Sequence, residues 1–244
     1  MLMIDRLSPT ERPAGRPAGF QRWRELLFLH WEVPVDDLAK LLPTDLTVDT
    51  FDGKAWVGIV PFTMRDVSPR WSPSVPGISN FHELNVRTYV HHKGKNPGVW
   101  FFSLDAAATI AVMVARAGWS LPYYRAWMSL EKSCVTNEYK SRRLFGPGPA
   151  KFHAKYDIGE PIGPAKPGTL DHFLAERYIL YTQRKTGLFI GRVHHAPYPL
   201  REVQLESWSE SMIAAVGLAR SDDEPLVHYS PGVDVDVFAL EKVV

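Results

Sequence analysis

The sequence predicts an α+β protein whose strands form a mostly antiparallel, barrel-like sheet. Apolar and polar residues alternate with a period of two in many short runs, and turn signals such as Asp52-Gly53 separate these runs. Only a few helical patterns interrupt the series, which indicates α+β rather than alternating α/β. The chain is also rich in aromatic residues (12%) and has 20 Pro, which is typical of strand-rich proteins built around a pocket.

The chain organisation favours one domain. Its 244 residues would suffice for one large domain or two small ones, but no Pro/Ser-rich linker divides them. Residues 1–19 are rich in Pro, Gly and Arg and are expected to form a mobile tail. We therefore predict a tail followed by a single domain over residues 20–244.

A short helix and a hairpin open the predicted domain. Pro34 suits a first helical turn, two aspartates favour the positive end of the helix, and leucines form one apolar stripe within residues 34–42. A proline at 43 ends this helix. Asp52-Gly53 then predicts a tight turn between strands at 46–51 and 54–64.

The next predicted strands are followed by a helix. Residues 65–80 contain three Pro and four Ser and are expected to form a loop. Strand 81–90 follows, with 99–104 as its neighbour. Asp105 has a side chain that can cap free amides, so it predicts the start of a largely buried helix over residues 106–117.

The second half of the chain adds further strands and two helices. Thr169 is expected to cap a helix that runs to Arg177, and a short helix is expected near residues 210–218. The turn Lys185-Thr186-Gly187 predicts a hairpin. The predicted strands are 123–130, 134–143, 151–158, 178–182, 188–194, 203–206 and 233–240.

Charge and composition exclude several classes of protein. The net charge of +1 gives no electrostatic reason to expect nucleic acid or an anionic membrane as a partner. Cys134 is the only cysteine, so neither an internal disulfide nor a cysteine-based zinc site is expected, and a cytoplasmic location fits best. The longest apolar run, 106–114, is too short for a membrane helix. We find no phosphate-binding loop, zinc-protease or serine-hydrolase motif, and we predict no cofactor and no metal.

One strand carries the most informative pattern for function. Glu83, Asn85, Arg87 and Tyr89 alternate with apolar residues, so they share one face of the strand, and we call them the polar row. A row of this kind is ordinarily a solvated face with cross-strand ion pairs. Here the following segment, 98–108, is almost wholly apolar, which indicates an interior position. A buried charged row must be paired internally or bind a ligand.

Two other segments carry candidate ligand-binding residues. Tyr123 and Tyr124 offer hydroxyl groups, and Arg125 offers a planar fork that suits a carboxylate or phosphate. The alternative is two half-buried tyrosines and a surface arginine. His194 is followed directly by His195, and because adjacent strand side chains point apart, only one of them can face a cavity. We name His194 as the candidate ligand-binding residue, although the sequence does not decide which of the two histidines faces the cavity.

The sequence resembles a known family in several segments. The segments are Phe81-His82-Glu83-Leu84-Asn85-Val86-Arg87-Thr88-Tyr89-Val90, Trp100-Phe101-Phe102-Ser103-Leu104-Asp105-Ala106, Pro122-Tyr123-Tyr124-Arg125-Ala126 and Val227-His228-Tyr229-Ser230-Pro231-Gly232-Val233. The first two are the most specific. On these segments the chain resembles the uncharacterised YqjF-like bacterial family, which is grouped with the acetoacetate decarboxylase superfamily. The resemblance extends over residues 20–243.

The resemblance implies a fold but not the family chemistry. It implies a conical, mostly antiparallel β-barrel around an internal cavity, with Glu83 in the place of a cavity glutamate. The decarboxylases carry a lysine pair, one of which forms a Schiff base, where this chain has Tyr123 and Tyr124, and a tyrosine cannot form an imine. A second cavity glutamate expected near Gly58 and Ile59 is also absent. Decarboxylation through a Schiff base is therefore not expected.

Three functions remain open at this point. The first is lyase-like or other acid/base chemistry on a small anionic carbonyl compound, with Glu83 as the acid/base and Arg87 or Arg125 as the anchor of the anion. The second is a non-catalytic module that binds or senses a small molecule. The third is a structural or interaction protein in which Glu83 and Arg87 pair only with each other. Each of the three functions is compatible with assembly into a homo-oligomer.

Overall fold

The computed structural model describes residues 4–75, 78–108, 120–133 and 135–243, which are mostly β-strand. Helical structure in these ranges is limited to a 3₁₀ turn at Ser8–Thr10 and the short helices α1 (Val35–Ala39), α2 (Leu170–Ala175) and α3 (Met212–Ala215). The predicted strand-rich sheet with few helices is therefore confirmed. The strands are β1 (Gly19–Val33), β2 (Thr47–Val48), β3 (Ala55–Pro69), β4 (Phe81–His92), β5 (Lys95–Ala106), β6 (Tyr123–Lys132), β7 (Thr136–Arg143), β8 (Lys151–Gly163), β9 (Ile179–Arg184), β10 (Gly187–His194), β11 (Leu200–Glu210), β12 (Leu226–Val237) and β13 (Glu241–Lys242).

All the strands of the described residues belong to one sheet. The antiparallel series β6–β7–β8–β11–β12–β1–β3–β4–β5 is joined at its ends by a parallel pairing of β5 with β6. These nine strands thus form a closed circuit of backbone pairings. The circuit leaves β4 paired along both edges, by β3 and by β5.

One edge of β5 is shared between two strands. Its last residues, Leu104 to Ala106, pair in parallel with the start of β6. Its earlier residues Val99 and Trp100 pair in parallel with β9. Between these pairings β6 and β9 diverge, and we call this place the β5 fork.

The sheet is packed on both faces. In β1, residues 26–31 are all buried, although successive side chains point to opposite sides. Leu27 and Leu29 belong to an apolar cluster with Val86. Leu26 and Phe28 belong to a second cluster. The middle of β1 is therefore enclosed on both faces.

The hairpin predicted after α1 has the right turn and the wrong strand partner. Phe51 bridges to Lys54 across Asp52-Gly53, whose φ angles of 50° and 80° suit a tight hairpin turn. However, β2 pairs with β4 rather than with β3. The physical reason lies at Asp49, whose amide donates to the Tyr89 carbonyl at 2.9 Å and whose buried carboxylate accepts from Arg177.

Several other predicted boundaries are corrected. Asp105 lies inside β5 instead of capping a helix, because its carboxylate is held by Arg143 in the core. The helix predicted over residues 106–117 falls outside the described residues from position 109 onward, as does Cys134. The loop predicted at 65–80 begins after Pro69, since β3 continues to that residue.

The other three predicted helices are present at the expected places, with shorter spans. The Thr169 side chain accepts a hydrogen bond from the His172 amide at 3.3 Å, as predicted for a helix cap. The helix predicted over residues 34–42 is limited to α1, and the one near 210–218 to α3. In each case the last predicted turn is irregular.

The N-terminal residues make ion pairs with the domain. The Arg6 guanidinium donates to the carboxylate of Asp49, with an Nε to Oδ2 distance of 3.2 Å, and its charge lies over the Phe173 ring. Arg12 pairs with Asp236 at the end of β12. The mobility predicted for residues 1–19 stays a prediction, and any detachment of this segment would have to break these contacts.

Candidate functional site

The polar row of β4 lies in the interior. The exposed fractions of its four side chains are 2% for Glu83, 5% for Asn85, 7% for Arg87 and 0% for Tyr89. Its residues stand opposite apolar positions: Phe62 and Ala106 flank Glu83, while Val60 and Leu104 flank Asn85. The solvated-face alternative therefore does not apply, and four polar groups lie within an apolar wall.

Glu83 forms one half of a buried acid pair. The Tyr123 hydroxyl donates to Glu83 Oε2 at 3.0 Å. Burial raises the pKa of Glu83 to about 8, the Tyr123 hydrogen bond opposes this rise, and the charge of Asp105 adds to it. Burial and the neighbouring Glu83 also raise the pKa of Tyr123 well above its ordinary value. A carboxyl group with a pKa near neutrality can both donate and accept a proton under physiological conditions.

Arg87 is a buried cation with no carboxylate partner in the described parts of the chain. Its Nη2 donates to the Leu174 carbonyl at 2.9 Å, and its guanidinium lies 5.6 Å from the centre of the Phe28 ring. Its Nε has no hydrogen-bond partner among the residues that the structure describes. Because Arg87 and Glu83 do not form an ion pair, the mutual pairing required by the structural hypothesis is not present.

Tyr89 and His30 complete the site beside Arg87. The Tyr89 hydroxyl donates to the Leu174 carbonyl at 2.8 Å and lies 2.7 Å from His30 Nε2. The single hydroxyl hydrogen is used on the carbonyl, so His30 Nε2–H donates to Tyr89 and Nδ1 keeps its lone pair. Burial, with a contribution from Arg87, lowers the pKa of His30 well below its ordinary value, which keeps the ring neutral.

Gly58 makes room for this arrangement. A Cβ atom at Gly58 would lie 2.9 Å from Cδ2 of His30 and 3.6 Å from Cγ of Arg87. Gly58 is the direct cross-strand partner of both residues. Where the family resemblance led us to expect a glutamate, the space is thus occupied by an imidazole and the stem of an arginine.

Tyr124 and Arg125 do not join the acid pair. Tyr124 follows Tyr123 on the strand and so points to the other side, where its ring lies 4.2 Å from the guanidinium of Arg143. Arg125 donates to the carbonyls of Ala107 and Ala126, the latter at 2.9 Å. Both of these bonds come from Nη1, and the role of Arg125 as the anchor of an anion stays a prediction.

His194 and His195 lie in different surroundings, as adjacent strand residues should. His194 is half-buried and lines a surface groove together with Asp66 and Asp236. His195 is buried, and its ring stacks on Tyr178 at 4.4 Å. The structure therefore does not bring His194 to the polar row.

Sequence reasoning missed three contributors to the site. His30 stands within the apolar run of β1, and a lone histidine in such a run was the one signal that could have found it. Gly58 and the Leu174 carbonyl carry no signal in a single sequence.

Within the described ranges no cluster of three His, Cys, Asp or Glu side chains could hold a metal. None of the helices in those ranges has the length and apolar character needed to span a bilayer.

Comparison with known proteins gives matches in both sequence and structure. A family profile, DUF2071, described as "Uncharacterized conserved protein", matches residues 20–234. The chain is 40% identical over 223 residues to "Uncharacterized protein YqjF" of Bacillus subtilis (strain 168), and the match covers 91% of each chain.

Solved structures of similar shape share little sequence with this chain. An acetoacetate decarboxylase-like enzyme from Sphingomonas wittichii RW1 has a TM-score of 0.63 at 13% identity, over 94% of each chain. Acetoacetate decarboxylase from Legionella pneumophila has 0.62 at 17%, over 97% of this chain and 94% of that one. The enduracididine biosynthesis enzyme MppR, complexed with a condensation product of pyruvate, has 0.63 at 12%, over 95% and 91%. These identities establish a shared fold alone.

Proposed function

This chain belongs to the DUF2071 family of uncharacterized conserved proteins, and we propose that it binds a small anionic carbonyl compound and transfers a proton on it. The family resemblance inferred from the sequence is confirmed, and the fold is that of the acetoacetate decarboxylase-like enzymes. We infer that the circuit formed by β4, β5, β9, β10, β12, β1 and β3 is the conical barrel implied by the resemblance, and that the polar row faces its cavity. The single cysteine favours a cytoplasmic location.

The observation that carries the proposal is the isolated charge of Arg87. A buried guanidinium without a counter-charge is costly, and proteins normally pair such a group or use it to hold an anion. The described residues provide a carbonyl and two aromatic rings, which orient the guanidinium but do not neutralise it. A carboxylate-bearing ligand would supply the missing charge and accept from Nε.

The Glu83–Tyr123 pair supplies proton transfer. With a pKa raised to about 8, Glu83 is mostly in its acid form at pH 7 and can donate its proton to a substrate carbonyl or enolate. The carboxylate left behind can take a proton from the substrate, which restores the acid. Tyr123 stays protonated, and its hydroxyl donates to the Glu83 carboxylate that remains after the proton has left.

The proposal requires no Schiff base. Tyrosines occupy the two positions after Pro122, and the polar row contains no lysine. A carbonyl compound would therefore remain a ketone or an enolate throughout. Pyruvate and a pyruvate-derived product are bound in the structures of MppR, which supports the choice of a small keto acid as the class of ligand.

Proton exchange at the α-carbon of keto acids tests the proposal. We would incubate the protein with a panel of 2-keto and 3-keto acids in D₂O and follow loss of α-proton signal and release of CO₂ by NMR. We expect at least one acid to react, and we expect Glu83→Gln to lose that activity while still binding the acid. Glu160→Gln is the matched control, since Glu160 is exposed and lies far along β8 from the polar row.

The other outcomes separate the remaining hypotheses. An acid that binds, stabilises the fold against heat, and undergoes no exchange or decarboxylation would identify a binding or sensing module instead of an enzyme. Binding that survives Arg87→Met would remove Arg87 as the anchor. Activity that survives Glu83→Gln would contradict the assignment of the proton to Glu83.

A further inference from the structure

A cavity lies at the β5 fork, outside the polar row. It has a volume of about 480 Å³ and opens between the diverging strands β6 and β9. Its volume is within the range of small-molecule sites, about 300–1,000 Å³. We call it the fork cleft, and its walls include Trp100, Phe101, Leu121, Pro122, Tyr124 and Tyr181.

The fork cleft is electrically neutral. Arg143 is the one charged residue among its described lining residues. Its Nε and Nη2 donate to the carboxylate of Asp105, with an Nη2 to Oδ1 distance of 2.7 Å, and its Nη1 donates to the Pro147 carbonyl at 2.9 Å. Because Asp105 balances its charge, Arg143 cannot attract an anion as an unpaired guanidinium would.

A buried hydroxyl group in the cleft lining has no hydrogen-bond partner among the described residues. Ser103 belongs to its lining, is fully buried, and has a hydroxyl group that finds no hydrogen-bond partner in the described ranges. A buried hydroxyl left unsatisfied costs free energy, whereas one that bonds to a ligand recovers it. Ser103 is therefore the buried hydroxyl group in this lining whose hydrogen bond a ligand would supply.

We propose that the fork cleft binds an uncharged, planar aromatic molecule that hydrogen-bonds to the Ser103 hydroxyl. Aromatic walls favour flat rings through stacked and edge-to-face contacts, and the neutral lining gives a charged ligand no compensation for its lost hydration. This site differs from the polar row in chemistry and in position, because Tyr123 contacts Glu83 whereas Tyr124, its neighbour on the strand, lines the cleft. The proposal does not depend on the function proposed above.

Binding of fluorinated indole tests this site. We would titrate the full-length protein with 5-fluoroindole and follow its ¹⁹F resonance, with indole-3-acetate as a charged competitor. Ala215→Trp places a large side chain in the lining of the cleft, and Ala214→Trp is the matched control at the adjacent exposed position of α3. Ser103→Ala removes the polar contact alone.

The proposal predicts a graded set of results. Ala215→Trp should weaken 5-fluoroindole binding at least tenfold, by our estimate for a blocked apolar site, while Ala214→Trp should leave it unchanged. Ser103→Ala should weaken binding about fivefold, as expected for one hydrogen bond. Indole-3-acetate should compete poorly. No binding to the wild type, equal effects of the two tryptophans, or tighter binding of the charged competitor would each overturn the proposal. Glu83→Gln should not alter indole binding, so this test and that of the polar row fail independently.

Discussion

Arg87 and Arg143 are two buried arginines that differ in whether a carboxylate pairs with them, and this difference predicts unequal effects of the same substitution on stability. Their exposed fractions are 7% and 9%. Arg143 donates three hydrogen bonds to the Asp105 carboxylate, which is itself fully buried. Arg87 has no carboxylate within ion-pair distance among the described residues and donates one hydrogen bond to a carbonyl. Methionine keeps much of the volume of either side chain and removes its charge.

The expected magnitudes follow from what each substitution leaves behind. Arg143→Met leaves the buried charge of Asp105 without a partner, which typically costs about 3–5 kcal/mol. Arg87→Met loses one charge-assisted hydrogen bond, about 1.5–3 kcal/mol, but also relieves the burial of an unpaired cation, which is worth several kcal/mol. The Leu174 carbonyl keeps its bond from Tyr89. We therefore expect Arg87→Met to change the free energy of unfolding by less than about 1 kcal/mol or to raise it.

Urea unfolding of the two variants without ligand is the assay. Arg143→Met should unfold at clearly lower urea, and its melting temperature should fall by roughly 6–20 °C, at about 2–4 °C per kcal/mol for a chain of this size. Arg87→Met should unfold close to the wild type. Equal destabilisation by both substitutions would refute the reasoning, because Arg87 would then have a structural counter-charge and would not be kept for a ligand.

Two further predictions concern Glu83 and Gly58. Burial raises the pKa of Glu83 from 4.5 to about 8, so the unfolded chain loses this proton over a pH range in which the folded chain retains it. The stability contributed by Glu83 is therefore fully present below pH 4.5 and is lost as the pH rises towards 8. Relative to that of the wild type, the free energy of unfolding of Glu83→Gln, measured in urea, should therefore rise by on the order of 4 kcal/mol between pH 4.5 and 8. The same pH dependence of stability in both proteins would contradict the shifted pKa. Gly58→Ala should lower the free energy of unfolding by about 1–3 kcal/mol, because its methyl group meets the His30 ring. An unchanged urea midpoint for that variant would show that the ring moves aside freely.

Much of the strand pattern could be predicted because alternation is a local property. The turn at Asp52-Gly53, the strand at 81–90 and the helix cap at Thr169 each depend on a few neighbouring residues. Errors arose where distant contacts overrode local preference. Asp105 is a good helix cap in isolation, but the ion pair with Arg143 keeps it in a strand.

The candidate site likewise has a part that a local pattern predicts and a part that depends on distant contacts. The polar row was visible in the sequence because its residues share one face of a strand. Its partners were not, because Tyr123 lies 40 positions from Glu83 and Leu174 lies 87 positions from Arg87. The space for His30, which depends on the missing side chain of Gly58, is likewise a contact between strands.

The sequence by itself thus determined which side chains stand together on each strand, since the pleat imposes a period of two whatever the surroundings. Only the tertiary structure decided that both faces of β4 are enclosed, that Arg143 has a carboxylate and that no described carboxylate pairs with Arg87. Those properties depend on which strands become neighbours, and backbone pairing brings together residues that no local pattern connects.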